Sequence, residues 1–199
     1  MKRALLLGLI FPALVWANDV STSYSLEKKG RYKRALALIE KNAKNDVRNY
    51  FLQLRTGWLA YLSGQMGKSQ RYYQKAVVLK PDAIEPRMGQ LLPLIALGKY
   101  KQAQSVARTV LRKDQKNYTA RSRMAYALFL AGRYKQAQRY YKSLVKDYPS
   151  DGQMLIGLGW AQLRQGKKRD ALKTFLRAKK ILPANRRVSE GIKYAKARQ

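Results

Sequence analysis

The sequence contains no cysteine and no histidine among its 199 residues, and only 11 of those residues are Asp or Glu. The absence of cysteine excludes disulfides and thiolate zinc ligands, and the absence of histidine removes the commonest general base. Asp82 and Glu85 are the one close acidic pair to consider for acid and base chemistry, but their position between repeats favours helix capping. No phosphate-binding or dinucleotide-binding fingerprint occurs. We therefore expect no catalysis, no metal and no cofactor.

Positive charge dominates what is present. Lys and Arg total 42, which gives a net charge of +31 and an isoelectric point of about 10.6. Such a surface attracts acidic partners. Nucleic acid would satisfy this charge, but the export signal described next argues against nucleic acid as a partner.

The N-terminus has the pattern of a signal peptide. Lys2-Arg3 precede an apolar run that ends at Trp16, and Val15 and Ala17 are small residues of the kind that signal peptidase reads. The alternative is a membrane anchor, but a spanning helix needs about 20 apolar residues and this run stops at Asn18. We predict removal of residues 1–17, a mature chain of residues 18–199, a periplasmic location and no transmembrane segment after cleavage. Peripheral contact with a membrane stays open.

A repeat organises the rest of the chain. Glycine recurs every 34 residues, at Gly30, Gly64, Gly98, Gly132 and Gly166. Five residues after each glycine comes a small side chain, in the series Ala35, Ser69, Ala103, Ala137 and Ala171. A fixed period of this length is typical of helical repeat proteins, in which small residues lie where helices touch.

These rows resemble the tetratricopeptide repeat family, whose unit ends in a Gly, Tyr, Ala, Tyr and Pro series. Gly132, Tyr134, Ala137, Tyr141 and Pro149 match it best. The resemblance implies an all-α fold, a right-handed α-α superhelix of about five helical hairpins with a C-terminal capping helix. The implied units are residues 18–49, 50–83, 84–117, 118–151 and 152–185, with the capping helix at 186–198.

Two departures from the family pattern affect local packing. Gln53, Arg87, Arg121 and Leu155 occupy the position where the family has an early Trp, and Gln115 replaces a Pro. Pro93 falls inside a predicted first helix, which we expect it to kink.

The resemblance also implies which side chains face the concave groove, namely those at the fifth, ninth and twelfth positions of each unit. Eleven of these twelve residues in units two to five are apolar or aromatic. They are Leu54, Trp58, Tyr61, Met88, Leu92, Ile95, Tyr126, Phe129, Ile156, Trp160 and Leu163, with Ser122 as the polar member. In the first unit Tyr24 continues the pattern and Glu27 interrupts it. The alternative interpretation is that these side chains are interhelical core.

Four of the five turns before second helices carry basic residues where the family usually has acidic ones. These are Arg31, Lys33, Lys99, Lys101, Arg133, Lys135, Lys167 and Arg169. Cations oppose the positive end of the helix dipole, so the row predicts a binding edge for anions. The alternative is that a basic protein carries Lys and Arg on every solvated surface.

Together these patterns predict an exported scaffold or adapter that binds another protein in a cell-envelope assembly. The groove suits a helix or an apolar peptide, and the basic edge suits an acidic surface. The family's clamp for a peptide carboxylate is not expected, because Leu54, Trp58, Ser122 and Tyr126 replace its Lys and Asn residues. The alternative function is binding of an anionic polysaccharide or another acidic envelope polymer, linked to exopolysaccharide secretion.

Overall fold

The computed structural model describes residues 13–197, so most of the predicted signal peptide lies outside the described residues. This part of the chain contains eleven α-helices and no strand. The helices are α1 Ala13–Lys28, α2 Tyr32–Asn45, α3 Tyr50–Leu62, α4 Met66–Leu79, α5 Glu85–Ala96, α6 Tyr100–Lys113, α7 Tyr118–Leu130, α8 Tyr134–Asp147, α9 Gly152–Leu163, α10 Lys168–Ile181 and α11 Arg186–Lys196. The all-α prediction is confirmed. None of these helices is long and apolar enough to cross a membrane.

The glycine repeat marks the end of every first helix. All five glycines have a positive φ, between 69° and 77°, which only glycine adopts without strain. The Gly132 amide donates to the Phe129 carbonyl at 3.0 Å, and the Arg133 amide donates to the Leu128 carbonyl at 2.9 Å. The other four glycines have the equivalent pair of bonds. This is the Schellman arrangement, in which main-chain bonds satisfy the last carbonyls of a helix.

First and second helices differ at their N-termini. Asn49, Asn117, Asp151 and Asn185 cap α3, α7, α9 and α11 through side-chain oxygens that accept backbone N–H bonds. The second helices α2, α4, α6, α8 and α10 have no side-chain cap. Their first N–H groups therefore face a cap residue that supplies no acceptor.

The chain divides into two compact units, of which unit 1 extends to Pro86 and unit 2 begins at Arg87. In unit 1, Leu36 and Ile39 on α2 pack with Leu52 and Leu59 on α3 in a buried cluster. The Trp16 ring on α1 lies 6.3 Å from the Phe51 ring. Because helix α1 begins at Ala13, it continues across the predicted cleavage position at Ala17.

In unit 2, large side chains pack against glycines of neighbouring helices. Gly157 on α9 faces the Tyr141 ring on α8, and Gly159 and Gly191 both face the Phe175 ring on α10. Phe175 is completely buried. The five small residues of the repeat are also buried, which confirms their predicted place at helix contacts.

Pro93 and α11 occupy the two ends of unit 2. Pro93 is buried within α5, which continues to Ala96, and its carbonyl accepts the Leu97 amide at 3.0 Å. Helix α11 stands where the closing helix was predicted and packs on α9 and α10. Val188 and Ala195 form its buried side, so a helix rather than another hairpin covers the last repeat.

Candidate interaction surfaces

The predicted groove residues of unit 1 lie on α3. Trp58 is 39% exposed, and Leu54 and Tyr61 are half-buried. The Trp58 and Tyr61 ring centroids are 5.8 Å apart. The Trp58 indole Nε1 donates to Glu27 Oε1 at 2.7 Å, which ties the exposed aromatic side chain to α1.

Glu27 also pairs with an arginine that the sequence analysis missed. The Arg55 guanidinium forms an ion pair with Glu27, and it lies 3.8 Å from the centroid of the Tyr24 ring. Arg55 is only 6% exposed, and its Nη2 donates to Ser23 Oγ at 3.2 Å. The interruption of the apolar pattern at Glu27 was the available signal, since a buried acid requires a partner. The groove side of unit 1 is thus an aromatic pair beside an ion pair, and it is not wholly apolar.

Two isoleucines of the predicted groove are buried in unit 2. Ile95 is 6% exposed and Ile156 is 0% exposed, and both belong to hydrophobic clusters. Ile156 is buried because α9 contacts α7 directly, and Ile95 is buried because it packs with Ala103 on α6 and Ala127 on α7. The polar member Ser122 is buried as well.

The remaining groove positions of unit 2 keep some exposed surface. Tyr126 is exposed, whereas Met88, Leu92, Phe129 and Leu163 are half-buried. Binding at these positions stays a prediction.

Trp160 differs from Trp58 although both hold the ninth position of a repeat. Its ring lies edge-on to Phe175 at 5.6 Å and to Tyr194 at 5.9 Å, so α10 and α11 both cover it. Its Nε1 is buried without a hydrogen-bond partner. Trp160 therefore belongs mainly to the packing of α9 against α10 and α11.

A cleft of about 290 Å³ opens between α7, α9 and α11 of unit 2, and Tyr126 is on its wall. Met154 and Tyr141 supply further apolar surface, while Arg123 and Arg187 supply positive charge. No Asp or Glu lines this cleft. Arg123 Nε is buried and has no hydrogen-bond partner.

Tyr118 forms the rim of the same cleft. Its hydroxyl donates to Asp151 Oδ2 at 2.6 Å, and its ring meets Tyr148 edge-on at 5.1 Å. Burial, the hydrogen bond to Asp151 and the charge of that carboxylate raise the pKa of Tyr118 to about 12. The hydroxyl therefore stays protonated at neutral pH and holds the rim in place.

The sequence analysis did not find Arg123 or Arg187. Arg123 follows a groove position on α7, and Arg187 lies on α11, which the analysis treated only as a closing helix. The family pattern predicts which side chains of each repeat helix share a face, but it does not predict the direction of side chains on the closing helix. The cleft exists because α11 brings Arg187 beside α9.

The eight residues of the predicted basic edge are all exposed. Arg31, Lys99, Arg133 and Lys167 are the N-cap residues of α2, α6, α8 and α10. Lys33, Lys101, Lys135 and Arg169 are the second residues of the same helices. In unit 2, Arg133 Nη1 donates to Gln104 Oε1 at 2.9 Å and Lys167 Nζ donates to Gln138 Oε1 at 3.2 Å. Successive turns thus repeat one contact with the preceding second helix.

A family model for the tetratricopeptide repeat matches residues 94–137 and 122–186. The matched segments contain the turn glycines of three hairpins and the buried alanines that follow them. The chain is a tetratricopeptide repeat protein. The family is one of scaffolds for protein–protein interaction, and the chain is a scaffold of this kind.

Solved structures of other tetratricopeptide repeat proteins have the same fold. MamA from Desulfovibrio magneticus RS-1 superposes with a TM-score of 0.77 at 16% identity, covering 87% of this chain and 97% of that one. MamA AMB-1 gives a TM-score of 0.69 at 20% identity, with 87% and 94% of the two chains covered. YrrB, described as a tetratricopeptide repeat protein with an unusual peptide-binding site, gives 0.73 at 15% identity over 91% and 96%. A comparison with curated proteins gives no match.

Proposed function

We propose that this tetratricopeptide repeat protein is an exported adapter that holds a peptide segment of another protein in the cleft between α7, α9 and α11. The carrying observation is that Tyr126 and Met154 line the cleft together with Arg123 and Arg187, and that no carboxylate does. An apolar side chain next to an acidic group on the partner would satisfy both kinds of surface. The description of YrrB as a peptide-binding protein of the same fold supports this choice.

Site-specific photo-crosslinking tests the proposed cleft. A photoreactive phenylalanine at Tyr126 should capture one defined protein from a periplasmic extract, because exposed aromatic residues of a cleft often anchor partners. The same probe at Leu176, which is 45% exposed on the second helix α10, is the matched control. Capture of the same protein with equal yield from both positions would contradict the cleft.

Arginine substitutions then test the charge of the cleft. Arg123→Gln and Arg187→Gln should each weaken the binding of the captured partner by about tenfold, because each variant loses a charge-assisted hydrogen bond. Isothermal titration calorimetry with the purified partner measures this. Unchanged affinity in both variants would mean that the partner does not place an acidic group there.

The export proposal rests on the signal-peptide pattern of residues 1–17. Cell-envelope location follows if signal peptidase cuts after Ala17. Mass spectrometry of the native protein should find Asn18 as the first residue in a periplasmic fraction. An intact Met1 on the native chain would remove the basis of this proposal.

An anionic polysaccharide is the second candidate partner, favoured by the exposed cations at successive second-helix turns. Helices pack at about 8–10 Å, so the basic clusters of the three hairpin turns of unit 2 would meet charges repeated along a polymer. This binding does not need the cleft. Retention on an acidic polysaccharide by a variant with a blocked cleft would therefore separate the two candidates.

A further inference from the structure

A cavity of about 220 Å³ lies between α6, α7 and α8 of unit 2. It has no lining residue in common with the proposed peptide cleft, although residues of α7 and α8 line both. Arg108, Arg133 and Arg139 line it, and no Asp or Glu does. Within residues 13–197, neither Arg108 nor Arg139 forms an ion pair. Three positive charges therefore share a small cavity without a counter-charge.

Gln104 also lines the cavity and is 2% exposed. Its Oε1 accepts a hydrogen bond from Arg133 Nη1, and its Nε2 is buried without a partner. A guanidinium only donates hydrogen bonds, so Arg133 determines which end of the amide is the oxygen. A buried donor without an acceptor is energetically costly. What the site lacks is an acceptor.

In unit 1, a carboxylate occupies the repeat position that corresponds to Arg108. Glu40 stands ten residues after its turn glycine, as Arg108 does in its own repeat. Glu40 accepts from Lys68 Nζ at 2.8 Å and from the Tyr72 hydroxyl at 3.2 Å. Burial raises the pKa of Glu40, but the bond and charge of Lys68, the charge of Lys44 and the bond from Tyr72 outweigh it and lower that pKa. Unit 1 thus holds an anion at this position and supplies it from its own sequence.

The next hairpin of unit 2 also supplies a carboxylate. A cavity of about 580 Å³ there is lined by Lys142, Lys173 and Arg177 together with Asp170. The cavity at Gln104 has the cations of this pattern and neither carboxylate. Its anion has to come from outside the chain.

We propose that the cavity formed by Gln104, Arg108, Arg133 and Arg139 binds a phosphate or sulfate group, either as the free ion or as the end of a monoester. Such a group has several acceptor oxygens, which match the guanidinium donors and the unpartnered Gln104 Nε2. The small volume suits one group and excludes a folded segment. This site lies on the second-helix side of unit 2 and does not depend on the peptide cleft.

Titration calorimetry of the full chain with inorganic phosphate, at constant ionic strength in chloride, tests the proposal. We expect saturable binding of one phosphate. Gln104→Leu, which copies Leu36 at the equivalent place in unit 1, should weaken it about tenfold, as should Arg139→Gln. Arg108→Glu copies Glu40 and should abolish binding by placing a carboxylate in the cavity. Glycerol phosphate as a second probe distinguishes a monoester end, which should bind with similar affinity, from a site that accepts the free ion alone.

Arg71→Gln is the matched control, because Arg71 holds the position of Arg139 in a repeat of unit 1, where Glu40 already supplies the anion. This variant should bind phosphate as the parent does. Equal weakening by Arg71→Gln and Arg139→Gln would show that only general charge attracts phosphate and would overturn the site, as would an unsaturable titration of the parent. Circular dichroism of each variant verifies folding. Because Gln104→Leu leaves the net charge unchanged, weaker binding by this variant cannot come from a loss of general positive charge.

Discussion

The two groove tryptophans show how far a repeat position determines the environment of a side chain. Trp58 and Trp160 are equivalent in sequence, but Trp58 is exposed and bonded to Glu27 while Trp160 lies between Phe175 and Tyr194. The difference comes from α11, which follows the last repeat and covers Trp160. A rule based on the repeat alone assigns both residues to the groove, because it contains no information about what stacks beyond the final hairpin.

We therefore expect different costs from removing these two side chains. Trp160→Ala should lower the free energy of unfolding by about 2 kcal/mol or more, because it leaves a void among aromatic rings. Trp58→Ala should cost no more than about 1 kcal/mol, the loss of one hydrogen bond and some half-exposed contact. Urea denaturation of both variants measures the difference. Equal losses would show that the two positions are alike after all.

The glycines of helix interiors give a second contrast. A Cβ at Gly157 would overlap the Tyr141 ring, whereas a Cβ at Gly67 has only Arg71 Nη1 near it, at 3.9 Å. Gly157→Ala should thus destabilise the protein by about 1–3 kcal/mol through overpacking. Gly67→Ala, in an open helical position of α4, should stabilise it by up to about 1 kcal/mol. Thermal denaturation distinguishes them, and a change of the same sign in both would contradict the packing described for Gly157.

The residues that the sequence analysis missed share a physical cause. Arg55, Gln104, Arg123 and Arg187 acquire their roles from side chains on other helices, such as Glu27 for Arg55. Turn glycines and buried alanines were predictable because their roles depend on local backbone geometry and on the 34-residue period. The burial of Ile95 and Ile156 was not predicted, because the sequence of one repeat does not show which neighbouring helices it contacts.

At the scale of the helix, the five second helices begin without a side-chain cap, and four of them begin with cations. Arg31 is the N-cap of α2 with φ −84° and ψ 52°, which is not the extended geometry of an ordinary capping residue. Asn49 at the start of α3 has ψ 101° and accepts from the Leu52 amide at 3.2 Å. The helix bounds were predictable from the repeat, but this difference in capping depends on the Schellman turn that precedes only the second helices.

Replacing Arg31 tests the cost of these cations. Arg31→Asp should stabilise the protein by about 0.3–1 kcal/mol, because it reverses an unfavourable charge at the helix dipole. The gain should shrink at high salt, since exposed charges are screened. Guanidine is itself a salt, so urea denaturation at two chloride concentrations is the measurement. Lys41→Asp in the second half of α2 is the control and should give no gain.

For the whole molecule, the basic edge predicts binding that responds to salt. Changing Lys135, Lys167 and Arg169 to Glu should lower the chloride concentration that elutes the protein from an acidic polysaccharide column. The control changes Lys179, Lys180 and Lys193, which are equally exposed in unit 2 but not at the turns. An equal drop for both triple variants would mean that net charge alone controls retention.

Tyrosine burial predicts how stability depends on alkaline pH. Burial is the largest cause that raises the pKa of Tyr50, Tyr72 and Tyr118 to about 12, and it raises the pKa of Tyr141 as well. Because the folded pKa exceeds the unfolded value of about 10, this stabilisation is complete below pH 10 and is lost as the pH rises towards 12. The urea midpoint should therefore fall between about pH 10 and pH 12. A midpoint that stays constant over this range would contradict the burial of these hydroxyls.

The 34-residue period was sufficient to predict the all-α hairpin fold, because each repeat forms the same local structure and packs on its neighbour. The division into two compact units was not predictable in this way, since the glycine spacing continues unchanged across Pro86. The period reports local geometry, whereas the division into units depends on side chains that vary between repeats.

Main-chain atoms alone close the five hairpin turns, with glycine providing the left-handed conformation. The side chains that follow each glycine take no part in closing the turn, so substitutions among them leave its backbone bonds intact. Selection can therefore change the sign of charge along this edge, residue by residue, while the hairpins keep their geometry. The turns separate the positions that specify folding from those that can adapt the protein to a new partner.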